Sequence, residues 1–198
     1  MHIIGLTGSI ASGKSTASEM LMQMGYWLHD ADKTVHQLMG PDGAALADIS
    51  TEFQLDIDPA IGVNRAELGR IVFQAPEKRA ALEAILHPMV SANRHRFLQQ
   101  ARMFGARTVI LDVPLLFETG TDRLCDYIIT LWAPDFLQIR RALSRPAMTS
   151  DKLTAILAAQ WSQTEKSRLS DLALPSGLGK AETRKRLLRF LKRNALAR

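Results

Sequence analysis

Cysteine is almost absent: Cys125 is the only one in the chain. An internal disulfide is therefore excluded, and the usage suits a reducing cytoplasm. Long apolar runs are missing too. The longest candidate, Val109 to Phe117, is broken by Asp112 and falls short of the roughly 20 apolar residues a spanning helix needs. No membrane partner is expected, and with no basic leader ahead of the first apolar stretch, no signal peptide is expected either. The five histidines show no H-E-x-x-H or other ligand spacing, which argues against zinc. Aromatics make up only 6% of residues. Trp27, Trp132 and Trp161 are too scattered for a base-stacking platform and read as core, as do most of the eight methionines. There is no internal repeat, no low-complexity tract, and no N-K-x-D motif of the kind a regulatory GTPase uses to read guanine.

Acidic residues are scarce only at one end. Residues 180–198 hold eight Lys or Arg against Glu182 alone, while residues 1–179 carry 17 basic and 19 acidic residues. The net charge of +5 thus belongs to a terminal segment and not to a basic domain, so nucleic acid is not an expected partner. Leu187, Leu188, Leu191 and Ala195 share one helical face, which predicts an amphipathic helix docked on the body. A polyanion or membrane-surface role is the alternative.

What is present is a phosphate-binding loop. Gly8-Ser9-Ile10-Ala11-Ser12-Gly13-Lys14-Ser15 fits G-x-x-x-x-G-K-[ST], with Thr16 following. A short apolar run, Ile3 to Thr7, precedes it, and Thr16 to Met24 follows with Met20, Leu21 and Met24 at helical spacing. Small residues let successive N–H groups turn inward, and the helix N-terminus adds its own. Gly8, Ala11, Ser12, Gly13, Lys14, Ser15 and Thr16 are the expected nucleotide-binding set. Lys14 would reach the β- and γ-phosphates of a nucleoside triphosphate, and the Ser15 hydroxyl would bind Mg²⁺.

Five strands are predicted: His2 to Thr7, Tyr26 to His29, Arg107 to Asp112, Asp126 to Trp132, and a weak one at Leu172 to Leu174. Helical stretches separate them, so the fold class is α/β with a parallel sheet. Lys33 to Ala106 shows helical periodicity and no convincing strand, and reads as an inserted substrate lobe. Within it, Pro76 opens a helix, Pro88 kinks or ends it, and residues 54–64 form a loop around Pro59 and Gly62. Asp135 to Ser144 and Ser150 to Lys166 are two further helices, joined by residues 145–149. The 198 residues make one domain: core 1–32, 107–134 and 167–198, lobe 33–106, lid 135–166.

Phosphoryl transfer needs a group that orients the acceptor, metal ligands and cations for the moving charge. Asp30-Ala31-Asp32 follows the second strand, where a parallel sheet faces its ligand crevice. On an extended segment the two carboxylates would share a face. Either one caps the helix that starts near Lys33 while the other contacts an acceptor hydroxyl or Mg²⁺, or both cap that helix. Asp112 ends Val109-Ile110-Leu111 as a Walker-B-like acid that would touch Mg²⁺ through water. Arg140, Arg141 and Arg145 are either the cations of a closing lid or a solvated basic face.

These residues together resemble the dephospho-coenzyme A kinase family. The likeness runs along the chain in order: I-G-L-T-G-S-I-A-S-G-K-S-T at 4–16, D-A-D at 30–32, N-R-A-E-L at 64–68, I-L-H-P at 85–88, V-P-L-L-F-E at 113–118 and I-L-A-A-Q at 156–160. It implies transfer of the ATP γ-phosphate to the ribose 3′-hydroxyl of dephospho-CoA. It also implies a nucleoside-monophosphate-kinase-like sheet of strand order 2-3-1-4-5, with a CoA lobe and a lid. Residue by residue, it implies that Asp32 is the base and that Lys14 and Ser15 hold triphosphate and Mg²⁺. Arg65, His87, Pro114, Leu115 and Glu118 fall on the acceptor side, and Arg141 and Arg145 in the lid. Ser9 departs from the usual Gly, and Pro146 from an acidic or amide residue. Residues 170–177 replace A-D-x-V-I-[DN]-[NT]-G near the adenine, leaving backbone groups to take over that contact. Another P-loop small-molecule or nucleotide kinase is the alternative.

Overall fold

Five strands build one sheet in a computed structural model that describes residues 1–146 and 148–196. They are β1 (His2–Gly8), β2 (Trp27–Asp30), β3 (Thr108–Asp112), β4 (Tyr127–Trp132) and β5 (Leu172–Pro175), in the order β2-β3-β1-β4-β5. β1 pairs in parallel with β3 (Ile4 opposite Ile110) and with β4 (Ile4 opposite Tyr127), and β4 pairs in parallel with β5. Near-continuous apolar runs fit strands covered on both faces, and all five residues of β3 are buried. Every predicted strand is present, with ends moved by about one residue. Chain order reverses at β1, between β3 and β4, so Gly8 ends its strand at a topological switch point.

The chain divides into two compact units, residues 1–29 with 101–198, and residues 30–100. In the first, Ile4, Leu6, Ile110, Ile129, Leu131 and Leu174 of the sheet meet Met20 and Leu21 of helix α1 (Lys14–Gln23). The basic tail also packs there. Its helix is Lys180–Arg193, the last of nine α-helices among the described residues, hence α9. Leu187 and Leu191 are buried and Leu188 is half-buried, each full burial stabilising by about 1.5–3 kcal/mol. Ala195 lies past the helix end and is exposed; Leu196 docks instead, with its carbonyl accepting from the Tyr26 hydroxyl at 3.0 Å. The helix stops at Arg193, so the helical spacing that assigned Ala195 to the buried face no longer applies.

Residues 30–100 hold α2 (Ala31–Leu38), α3 (Leu46–Phe53), α4 (Arg65–Gln74) and most of α5 (Pro76–Met103). Met39, Leu46, Ile49, Phe53, Leu68 and Leu86 form their core. Residues 54–64 are irregular, as predicted. Pro88 does not end its helix: α5 runs for 28 residues with Pro88 inside it. A proline forgoes one backbone bond, and Leu86, two residues before it, is buried.

The remaining helices are α6 (Asp135–Leu143), α7 (Ser150–Ala158) and α8 (Gln163–Arg168). The sequence predicts one helix over Ser150 to Lys166, but a break separates α7 from α8. Ser162 causes it with a capping box: its Oγ accepts from the Glu165 N–H at 3.2 Å, and Glu165 accepts from the Ser162 N–H at 3.0 Å. The Ser162 hydroxyl, and then its N–H, hold the Glu165 carboxyl below its ordinary pKa. Ala147, in the predicted 145–149 linker, lies outside the described residues.

None of the three tryptophans is fully buried, Trp132 of β4 being half-buried. Trp161 is 43% exposed and stacks on Phe117, while Trp27 is half-buried and stacks on Phe104. Among the methionines Met20 and Met39 are buried, but Met22 and Met103 are exposed. Among the described residues no helix is long and apolar enough to cross a membrane.

Candidate active site

The phosphate loop leaves β1 at Gly8 and enters α1 at Lys14. Gly13, the N-cap, has φ 97°, a left-handed value that glycine adopts freely, and a Cβ there would lie 2.8 Å from Ser176 Cβ. Both backbone and space therefore require glycine. Ala11 is also left-handed, at φ 58°, and packs against Ala142 and Leu153 of the two helices after β4. Ser12 is buried with its Oγ unpartnered, and its N–H donates to the Ser9 carbonyl at 3.1 Å. Ser15 is exposed on the first turn of α1 and Thr16 is half-buried behind it.

One loop residue is gripped from outside on both its peptide groups. The Ile10 N–H donates to Gln160 Oε1 at 3.1 Å, and the Ile10 carbonyl accepts from Gln138 Nε2 at 2.8 Å. Gln163 donates to Gln138 Oε1 at 3.0 Å and also accepts from the Ala133 N–H at 2.9 Å. Three amide side chains from α6, the α7–α8 break and α8 thus fix the loop from the helical side.

Lys14 meets Asp112 directly, Nζ to Oδ1 at 2.5 Å, while Ser18 Oγ donates to Oδ2 at 2.5 Å. The Asp112 side chain is 3% exposed and that of Lys14 14%, so each charge is balanced in place. Lys14 and Asp112, read separately from the sequence as phosphate cation and metal acid, are one ion pair.

Arg141 is the arginine beside the loop. Its guanidinium donates to Ser176 Oγ at 2.9 Å and to the Ser176 carbonyl at 3.3 Å, and Nη1 lies 4.0 Å from where a Cβ on Gly13 would stand. Arg145 lies beyond the end of α6 and is exposed, as is Arg140. In the segment 170–177, Asp171 Oδ2 accepts from the Ile128 N–H at 2.7 Å.

The two aspartates of D-A-D do not lie together on an extended segment. Asp30 ends β2 and caps α2, its Oδ1 accepting from the Lys33 N–H at 2.9 Å. Asp32 is inside the first turn of α2 and exposed. The helix begins at Ala31, two residues earlier than predicted, so Asp30 stands at the N-cap and Asp32 inside the first turn. Arg65 opens α4 after the N-cap Asn64, and His87 lies within α5; both are exposed. Pro114 and Leu115 are half-buried after β3, and the Pro114 carbonyl accepts from Thr7 Oγ at 3.0 Å. Glu118 Oε1 accepts from the Trp161 N–H and pairs with Lys166, both at 2.8 Å.

The model of the family described as dephospho-CoA kinase matches residues 2–179. The chain belongs to the dephospho-CoA kinase family. A dephospho-CoA kinase from Zymomonas mobilis is 46% identical over 177 residues, covering 89% of this chain and 88% of that protein. The crystal structure of a Thermus thermophilus protein superposes with a TM-score of 0.82 at 29% identity, over 98% of this chain and 97% of that one. A dephospho-CoA kinase from Campylobacter jejuni gives 0.70 at 26% identity, over 96% and 95%. The sheet order of the dephospho-CoA kinase resemblance is the order found. Helix α9 lies beyond the family match.

Sequence reading misses Ser18, Gln138, Gln163 and Lys166, and meets Gln160 only as a motif letter. Ser18 had a signal, since it stands four residues after Lys14 on one helical face. The others had none, because each finds its partner across a long sequence separation.

Proposed function

We propose that this chain transfers the γ-phosphate of ATP to the ribose 3′-hydroxyl of dephospho-CoA, giving CoA and ADP in the last step of coenzyme A synthesis. The observation that carries the reading is the family match over residues 2–179 on a chain whose phosphate loop closes around a buried Lys14–Asp112 pair. Triphosphate charge draws Lys14 from Asp112 onto the β- and γ-phosphates, while loop amides from Ala11 to Thr16 hold the remaining oxygens. Asp32 orients the acceptor hydroxyl and takes its proton. The acceptor oxygen then bonds to the γ-phosphorus as the bond to the β-phosphate oxygen breaks, and ADP leaves. Residues 33–106 are the acceptor lobe, with Arg65 and His87 as acceptor contacts; Pro114, Leu115 and Glu118 are acceptor contacts of the core, and residues 135–166 are the lid. Backbone groups around Ser176 hold the adenine. The work is done in the cytoplasm.

Mg²⁺ fits the donor set. The exposed Ser15 hydroxyl and the Asp112 carboxylate are hard oxygen donors, and this ion asks for few protein oxygens, taking phosphate and water for the rest. Among the described residues no cluster of three or more His, Cys, Asp or Glu exists, and such a site needs none. When bound, the ion neutralises charge on the phosphates.

The deciding experiment is ATP-dependent phosphorylation of dephospho-CoA by the purified chain, with the product identified by mass. Nucleoside monophosphates and shikimate are run beside it. Turnover of one of those in place of dephospho-CoA overturns the reading and favours another P-loop kinase.

The lid arginines act on the transferring phosphoryl group, where charge develops. Arg145→Ala is expected to lower kcat by on the order of 10² or more, with Arg140→Ala close to wild type. Equal, small losses at both positions in steady-state assays would mean a solvated basic face instead.

A further inference from the structure

We propose that Lys166 is a positioning residue for the acceptor, holding residues 114–118 in the shape in which they receive it. The proposal rests on the acceptor-side role of that segment. Lys166 is 0% exposed on α8. Its ammonium donates to the Pro114 carbonyl at 2.9 Å and meets Glu118 Oε1 at 2.8 Å, gripping both ends of the segment at once. The same Glu118 oxygen takes the Trp161 N–H, and the Pro114 carbonyl also takes the Thr7 hydroxyl. Between them the Phe117 and Trp161 rings lie parallel, 5.7 Å apart with 5° between their planes. The segment after β3 is thereby held from β1 by the Thr7 hydroxyl and from α8 by the Lys166 ammonium.

Burying an ammonium is costly unless it is paired and hydrogen-bonded, and apolar side chains of similar volume usually serve stability as well. What an apolar side chain cannot do is direct a carbonyl and a carboxylate together; an ammonium, with three donors, can. Pro114 has no N–H, so its carbonyl is the only backbone handle at that end. Glu118 Oε2 is buried without a partner, so the carboxylate is held through Oε1 alone. Without Lys166, that carboxylate keeps the Trp161 N–H and has no other ion-pair partner among the described residues. It is then driven to solvent, and the segment goes with it.

The test compares Lys166→Met with the double variant Lys166→Met/Glu118→Gln. In the single variant, KM for dephospho-CoA is expected to rise on the order of 10- to 100-fold, the scale of a misplaced binding group, while KM for ATP stays within about twofold. The double variant removes the bare charge, so its Tm returns toward wild type while its KM for dephospho-CoA stays above that of Glu118→Gln alone. If the single variant is too unstable to purify, the double variant carries the same comparison against Glu118→Gln. Recovery of acceptor KM together with Tm would overturn the proposal, since Lys166 would then only neutralise a buried acid. An unchanged acceptor KM would overturn it too. Amide hydrogen exchange of residues 113–121, measured without substrate, should be faster in the variants, with residues 8–16 unchanged; equal protection of 113–121 refutes the positioning role. That readout separates the two readings: wild-type protein inactive on dephospho-CoA sinks the function, whereas exchange alone judges Lys166.

Discussion

Lys14→Ala should reduce kcat/KM for ATP by on the order of 10³ or more, with a matching loss of ATP affinity in calorimetry. Lys14 is the one side-chain cation that the phosphate loop itself supplies to the β- and γ-phosphates. The structure adds a second consequence. Asp112, at 3% side-chain exposure, would keep only the Ser18 hydroxyl as its partner. Removing one member of a buried ion pair costs about 3 kcal/mol, so the melting temperature should fall as well. Lys14→Ala/Asp112→Asn separates the two effects: stability should recover, and turnover should not. A Lys14→Ala enzyme that bound ATP normally and turned over at the wild-type rate would show that the phosphate-loop assignment is wrong.

Asp32→Asn should leave the fold alone and remove the chemistry. The residue is exposed on the first turn of α2, where substitutions usually shift stability by no more than about 0.5 kcal/mol. If its carboxylate takes the acceptor proton, kcat should fall by roughly 10² to 10⁴, the range for a general base. ATP affinity should survive, because Lys14 and the loop amides hold the triphosphate. Asp30 supplies the contrast. It caps α2 through the Lys33 N–H, so Asp30→Ala should cost about 1 kcal/mol of stability with a milder effect on rate. A large drop in Tm with near-normal kcat at Asp32 would make that carboxylate structural and put the base elsewhere.

These two experiments bear on different kinds of knowledge about the chain. The phosphate loop could be read directly because its determinants are local: an apolar strand, small residues at the turn, and helical spacing within about fifteen positions. Strand positions followed from composition for the same reason, and so did the irregular stretch at 54–64. The in-order residues of a known family carried the reading from a nucleotide site to a particular kinase.

Local sequence did not separate Asp30 from Asp32. Which one caps depends on the single residue where α2 begins, and a prediction two residues late left both roles open. The break at Ser162 failed for a related reason: helical periodicity continued across it, and the capping box outweighed propensity. The pairings that shape the site were beyond any local reading. Lys14 and Asp112 are 98 residues apart, Gln138 and Ile10 are 128 apart, and Lys166 and Pro114 are 52 apart. Strand order and helix packing bring these groups together. By itself, then, the sequence determined the nucleotide loop, the alternation of strands and helices, and the residues that carry the family likeness. Only the tertiary structure decided which charges neutralise one another, which glutamines hold the loop, and that a lysine with no local signal lies buried under the segment after β3. A buried charge is placed by what it must pair with, and that partner is set by the fold and not by its neighbours in the chain.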